Sequence, residues 1–165
     1  KDVSRLETIT DRFSKIGSEP KFEYVSVKEV IDRVIGYLRL RISDKVKISV
    51  SGDTIHKLKL CVPLFEWVIE NITKNAVDAM EGKGIMKIDL SKEGDTLIND
   101  LSDTGKGISK KDFKKVFKPG FTSKKRGWGL GLSLVRRIIE DQHRGKIYVK
   151  SSENGRGTTF RIELE

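Results

Sequence analysis

The hydrophobic pattern of this chain changes period repeatedly, and that alternation narrows its architecture more than any other feature. Val30, Val34, Tyr37 and Leu38 recur at helical spacing, and Ser26 with Glu29 forms a capping box that opens a helix over 27–42. Val46, Ile48 and Val50, then Ile55, Leu58 and Leu60, alternate as strands do. Pro63 suits a helix start, and a helix is predicted over 63–80, ended by Gly82 and Gly84. Met86, Ile88 and Leu90 alternate with Lys87 and Asp89 in a further strand, and another covers 95–102. A helix follows over 130–142 through Leu134, Val135, Ile138 and Ile139. Two last strands, at 145–151 and 158–164, flank a turn at Glu153–Gly157 and can pair as a hairpin. This interspersion favours an α/β fold, a two-layer sandwich of a mixed β-sheet covered on one face by helices. Ahead of it, Val3, Leu6, Ile9, Phe13 and Ile16 mark a helix over 1–17, stopped by Gly17 and Pro20. It opens without a cap and reads as the tail of a longer helix.

The chain has 165 residues, 36% of them apolar, enough for one compact core. No stretch approaches the roughly 20 apolar residues of a membrane span. With one cysteine, Cys61, and two histidines, His56 and His143, a disulfide framework and a metal site built mainly from Cys and His are both excluded. A reducing, cytoplasmic setting is the natural expectation, and an inner-membrane anchor of the full-length protein would lie outside this chain.

The net charge is +9 and suggests an anionic partner. Nine basic residues lie between Lys106 and Arg126 (Lys106, Lys110, Lys111, Lys114, Lys115, Lys118, Lys124, Lys125 and Arg126) against one acid, Asp112. A nucleic-acid binder could show such a cluster, and so could a loop that closes over a nucleotide's phosphates or a solvated charged face.

Three constellations carry chemistry. On the helix 63–80, Phe65, Val68, Ile69, Ile72, Ala76 and Met80 share a core face. Asn71, Asn75 and Asp78 fall in a sector of about 60° at its edge. Asparagine is a mediocre helix former, so two of them four apart need a reason: hydrogen bonding to a neighbouring loop, or a carbonyl oxygen for magnesium, which takes few protein ligands. Next, Asp103-Thr104-Gly105-Lys106-Gly107-Ile108 follows a strand. Its glycines permit a tight turn or close backbone approach to a ligand, and its aspartate can accept from an exocyclic amine. Third, Gly127-Trp128-Gly129-Leu130-Gly131-Leu132 opens a helix, where phosphates can approach backbone N–H groups. It is neither a Walker loop nor a dinucleotide fingerprint.

The order of these segments, with a basic loop between the last two, resembles the catalytic ATP-binding domain of sensor histidine kinases in the Bergerat-fold ATPase and kinase superfamily. ENITKNAVDAM resembles the family's asparagine box, SDTGKGI its first glycine box, FKPGFTSK its phenylalanine box and GWGLGL its second glycine box. GRGTTFRIEL resembles the closing hairpin, and residues 1–19, with DRFSKIG, the end of the helical dimerisation bundle, leaving 20–165 as the kinase domain. The resemblance implies ATP and magnesium as cofactors. Asn75 would coordinate the metal and Asn71 would sit near the phosphates. Asp103 would bond the adenine amino group, with Thr158 supporting it. Gly105 and Gly107 would open the base pocket, and Lys106 to about Trp128 would form a mobile lid, whose cations repel one another and to which glycines 105, 107, 120, 127 and 129 add freedom. Lys124, Lys125 and Arg126 would meet phosphate oxygens, and Gly127, Gly129, Leu130, Gly131 and Leu132 would form the helix start after the lid. Asp78, Thr122 and Ser123 join the same ATP-binding set.

Three departures stand out, one of them Trp128, where many family members have a threonine and the bulkier ring would stiffen the lid. Related ATPases carry a glutamate four residues before the magnesium asparagine, as a base for water. Here Asn71 holds that position and Glu70 points about 100° away on the helix, which favours a kinase over a hydrolase. Asn99 and Asp100 lie in a strand where the family is often apolar.

Neither histidine sits in an acceptor context: His56 precedes Lys57-Leu58-Lys59 and His143 precedes Arg144-Gly145. The resemblance therefore implies a protein-histidine kinase fragment in two-component signalling. Its phosphoacceptor histidine, dimerisation bundle and response regulator would lie elsewhere, in a homodimeric full-length protein. The competing readings are an ATPase or serine kinase on the same fold, or a nucleic-acid module using the basic cluster with Phe113, Phe117 and Phe121 as stacking groups.

Overall fold

The computed structural model describes residues 21–52, 55–121 and 131–165. The predicted helix over 1–17 lies outside them. In chain order the elements are β1 (Glu23–Ser26), α1 (Val27–Leu38), β2 (Val46–Gly52), β3 (Lys57–Leu60), α2 (Val62–Ala79), β4 (Gly84–Glu93) and β5 (Thr96–Asp103). Two single 3₁₀ turns follow at Lys110–Asp112 and Lys115–Phe117, then α3 (Gly131–Arg137), a π-helical turn (Ile138–Gln142), β6 (Lys146–Glu153) and β7 (Gly157–Leu164).

Five strands form one mixed sheet in the order β2-β4-β5-β7-β6. β2 runs parallel to β4 and the other pairs are antiparallel. Met86, Ile88 and Leu90 of β4 are buried while Ile85, Lys87 and Asp89 are exposed, so the helices cover one face, as the alternation predicts. Phe65, Ile69 and Ile72 of α2 share one continuous core with Ile88, Leu97, Leu101 and Ile162 of the sheet. α1 starts where the Ser26 hydroxyl accepts from the Glu29 N–H at 3.3 Å. It is tied to α2 one turn apart on each helix: Arg33 Nε donates to Glu66 Oε2 at 3.2 Å, and the Tyr37 hydroxyl donates to Glu70 Oε1.

Several boundaries differ from expectation. Ile55 is 84% exposed and lies before β3, not in it. β3 pairs with β1 in a separate two-stranded sheet that the sequence reading missed. Pro63 is the second residue of α2, not the first. The helix expected over 130–142 widens into a π turn at Ile138, which carries His143 back toward α2.

The two unusual polar residues of β5 have separate explanations. Asn99 faces the helices, is fully buried and donates from Nδ2 to the Ile162 carbonyl at 3.2 Å. Asp100 faces the open side, where Arg161 Nε and Nη2 donate to its two oxygens at 2.8 and 2.9 Å. Burial pushes the Asp100 carboxyl up, but Arg161 and Lys150 together hold it below the ordinary carboxylate range.

Candidate functional site

α2 supplies the first wall. Asn71 is 5% exposed, Asn75 is half-buried one turn later, and Asp78 is exposed. The wheel reading therefore holds for the asparagines, while Asp78 sits further out than its sector suggested. Asn71 Nδ2 is buried and has no hydrogen-bond partner among the described residues. A buried amide N–H left unpaired costs free energy, and an anionic oxygen is a partner that would satisfy it. Against this carboxamide lies the start of α3: a Cβ on Gly131 would stand 2.8 Å from Asn71 Nδ2 and 3.1 Å from Oδ1. Leu132 is half-buried against the core.

Asp103 ends β5 and forms the second wall. Its Oδ1 accepts from the Gly105 N–H at 2.8 Å. Burial pushes the Asp103 carboxyl above its ordinary range, and the Gly105 and Thr158 N–H groups pull it partly back. Thr158, 6% exposed on β7, is thereby placed beside Asp103. Gly157, just before it, has φ +116°, and a Cβ there would lie 1.8 Å from the Asp103 carbonyl oxygen. Only glycine lets β7 approach β5 this closely.

The loop after Asp103 is more firmly held than expected. A Cβ on Gly105 would lie 2.7 Å from the Ala79 backbone and one on Gly107 2.3 Å from the Glu153 carbonyl. The small size of these glycines thus serves close approach to this chain's own backbone. The Lys106 N–H donates to Ala79 O at 3.0 Å, the Gly155 N–H to Lys106 O at 2.8 Å and the Ile108 N–H to Ser152 Oγ at 2.7 Å. Where freedom is expected at Gly105 and Gly107, the structure shows close approaches and hydrogen bonds on either side. Residues 105–108 are clamped between the end of α2 and the β6–β7 turn, and the exposed lysines 110, 111, 114, 115 and 118 follow that clamp.

Phe117 anchors the basic segment. It is 5% exposed, meets Phe160 edge-on at 6.0 Å and lies under the Arg136 guanidinium at 5.8 Å. A ring spent on packing is no platform for bases. Thr122, Ser123, Lys124, Lys125, Arg126, Gly127, Trp128, Gly129 and Leu130 lie outside the described residues. Among the described residues no group of three or more His, Cys, Asp or Glu side chains could hold a metal ion. A divalent cation bound here would thus depend on phosphate and water for most of its ligands, the usual situation for magnesium.

Sequence reasoning missed two residues around the site. Ser152 joins the loop to the β6–β7 hairpin. His143 Nε2 accepts from the Cys61 N–H at 3.1 Å, at the start of the asparagine-bearing α2, while its Nδ1 lies 2.9 Å from the Ile138 carbonyl.

A family model described as "Histidine kinase-, DNA gyrase B-, and HSP90-like ATPase" matches residues 62–165. The chain is 35% identical over 114 residues to sensor histidine kinase ZraS of Escherichia coli K12, a match covering 69% of this chain and 24% of that protein. It is 40% identical over 170 residues to sporulation kinase E of Bacillus subtilis 168, covering 99% of this chain and 22% of that protein. The chain thus spans about a quarter of the length of these curated relatives. The nucleotide-free catalytic domain of histidine kinase ThkA superposes with a TM-score of 0.79 at 28% identity, covering 87% of this chain and 95% of that one. A crystal structure of ThkA with the response regulator protein TrrA matches at the same TM-score of 0.79, covering 99% of this chain and 48% of that one. Among the described residues no helix is long and apolar enough to cross a membrane.

Proposed function

The chain belongs to the histidine kinase-, DNA gyrase B- and HSP90-like ATPase family, and we propose that it is the ATP-binding catalytic domain of a larger sensor histidine kinase on the cytoplasmic side. Its γ-phosphoryl acceptor is a histidine on a helical bundle elsewhere in that protein, which passes the group to a response regulator. The observation that carries the kinase reading over a hydrolase is the pair Glu70 and Asn71. Asn71 stands four residues before Asn75 with a buried, unpartnered Nδ2, and the neighbouring Glu70 is engaged by the Tyr37 hydroxyl on α1. Among the described residues no carboxylate stands at that helix position, which Asn71 holds.

Phosphoryl transfer needs positioning and charge neutralisation more than covalent help from the protein. Asn71 Nδ2 donates to a phosphate oxygen, and Asn75 offers one hard oxygen to the cation. Magnesium, when bound, neutralises charge on the triphosphate. Asp103 accepts from the adenine amino group, with Thr158 beside it. The acceptor imidazole nitrogen forms its bond to the γ-phosphorus as the bond to the departing ADP oxygen breaks, and that nitrogen comes from outside this chain.

The test uses radiolabelled ATP with this chain, with the parent protein's acceptor bundle, and with both. Acid-labile label is expected on the bundle and only in the mixture. Transfer should be slow, since separating the parts removes the effective concentration of a covalent link. Strong labelling of this chain alone, or rapid phosphate release without the bundle, would overturn the reading in favour of a self-contained kinase or an ATPase.

A further inference from the structure

We propose that Ser152 is a positioning residue for base recognition: its hydroxyl fixes which way the Thr158 hydroxyl points its proton, so that Asp103 and Thr158 face the base as acceptors only. This rests on the adenine-binding reading of Asp103.

β6 is irregular near the site. Ile147 pairs with Ile162 and Val149 with Phe160, but Ser151 pairs with Thr159 and Ser152 with Thr158. One extra residue, Lys150, has entered the strand, and a one-residue insertion reverses the face of everything after it. Without the bulge, Ser152 would follow Tyr148 and Lys150 onto the open face. With it, Ser152 lies on the helix-covered face, opposite Thr158. The extra residue itself points to the open side, where Lys150 Nζ is 3.6 Å from Asp100 Oδ2.

The proton count is then determinate. Ser152 Oγ lies 2.7 Å from the Ile108 N, 3.0 Å from the Gly157 carbonyl oxygen and 2.8 Å from Thr158 Oγ1. A hydroxyl has one proton and two lone pairs. The Ile108 N–H takes one lone pair. All three contacts become hydrogen bonds in a single arrangement: Ser152 donates to Gly157, and Thr158 donates to the second lone pair of Ser152. The Thr158 oxygen is left with lone pairs to offer, and the Asp103 carboxylate offers only lone pairs as well. Such a wall suits an exocyclic amino group and gives a base carbonyl no donor.

The test is competition binding of ATP and GTP to the chain, with nucleotide-free thermal melts as a check on folding. Ser152→Ala removes the acceptor for the Thr158 proton, so Thr158 can turn and donate. The ATP-over-GTP ratio is expected to fall about 3- to 10-fold, the range of one neutral hydrogen bond. Ser152→Thr, which keeps the hydroxyl, should restore it. If Ser152→Ala does not fold, Ser152→Cys, with its weak donor and acceptor, carries the same expectation. A folded variant with an unchanged ratio, or with ATP and GTP weakened equally, would overturn the proposal. Asp103→Asn separates this from the underlying reading. If that variant leaves the ratio intact, the adenine assignment itself fails. If it lowers the ratio while Ser152→Ala does not, only the role of Ser152 fails.

Discussion

Gly131 abuts Asn71 so closely that a Cβ on the glycine would stand 2.8 Å from the asparagine's Nδ2. The carboxamide ends a rotatable side chain, so it must turn aside to admit a methyl, and its buried N–H is the proposed phosphate donor. Gly131→Ala should therefore displace that donor. The folded state should change little, because alanine favours a helix over glycine by about 0.5–1 kcal/mol and this offsets part of the crowding. ATP affinity should fall by on the order of 1.5–3 kcal/mol, the worth of a hydrogen bond to a charged group. A double-mutant cycle decides the route: in an Asn71→Ala background, Gly131→Ala should cost almost nothing further. Full additivity would show that the glycine acts independently of Asn71.

Asn75→Ala should weaken ATP binding in magnesium far more than binding of metal-free ATP. Its carbonyl oxygen suits a hard cation, and no cluster of acidic or histidine ligands stands in for it among the described residues. Calorimetric titrations with and without EDTA measure both affinities. Equal losses in the two conditions would leave Asn75 a purely structural residue.

His143 makes stability depend on mild acid. Its Nε2 accepts from the Cys61 N–H while Nδ1 donates to the Ile138 carbonyl, an arrangement open only to the neutral ring. Burial pushes its pKa down and the Ile138 carbonyl pulls it partly back, leaving it below the ordinary value. The unfolded chain then binds a proton first as pH falls, so this contribution is full above the unfolded pKa of about 6.5 and declines below it. Urea midpoints measured from pH 7.5 to 5.5 should drop on the acid side. His143→Leu should lower stability at pH 7.5 yet flatten that slope. A variant that keeps the full acid-side slope would assign it to other groups.

What the sequence made legible follows from how local each signal is. The asparagines of α2 were readable because helical spacing alone sets them beside an apolar stripe. The sheet was readable because one face of β4 and β7 is buried and its residues alternate strictly. His143 was not, because its meaning lies in a contact 82 residues away. Ser152 was hidden by the bulge, which reverses the face that counting by twos assigns to it. Gly105 and Gly107 mark places of close approach in the sequence, but the partner, the chain's own backbone at Ala79 and Glu153, lies far away along it. β1 is four residues long and pairs with β3, too short a run for its alternation to stand out.

Asp103 sets binding against stability. Burial holds its pKa above the ordinary carboxylate value. A raised acid pKa means the folded state binds the proton more tightly than the unfolded chain. The associated stability is present at low pH and lost as pH rises through the folded value, so at neutral pH the ionised carboxylate is a burden on the nucleotide-free fold. Asp103→Asn removes that charge and keeps an oxygen to accept from the Gly105 N–H. The variant should therefore melt at the same temperature as the original or higher without nucleotide. It should bind ATP more weakly by on the order of 1.5–3 kcal/mol, because the charge-assisted bond to the amino group is gone. Differential scanning fluorimetry with and without ATP reads both effects together: a higher starting Tm and a smaller shift on adding nucleotide. A lower starting Tm would mean that the carboxylate's bonds to the Gly105 and Thr158 N–H groups outweigh its desolvation. An undiminished ATP shift would remove Asp103 from the base site.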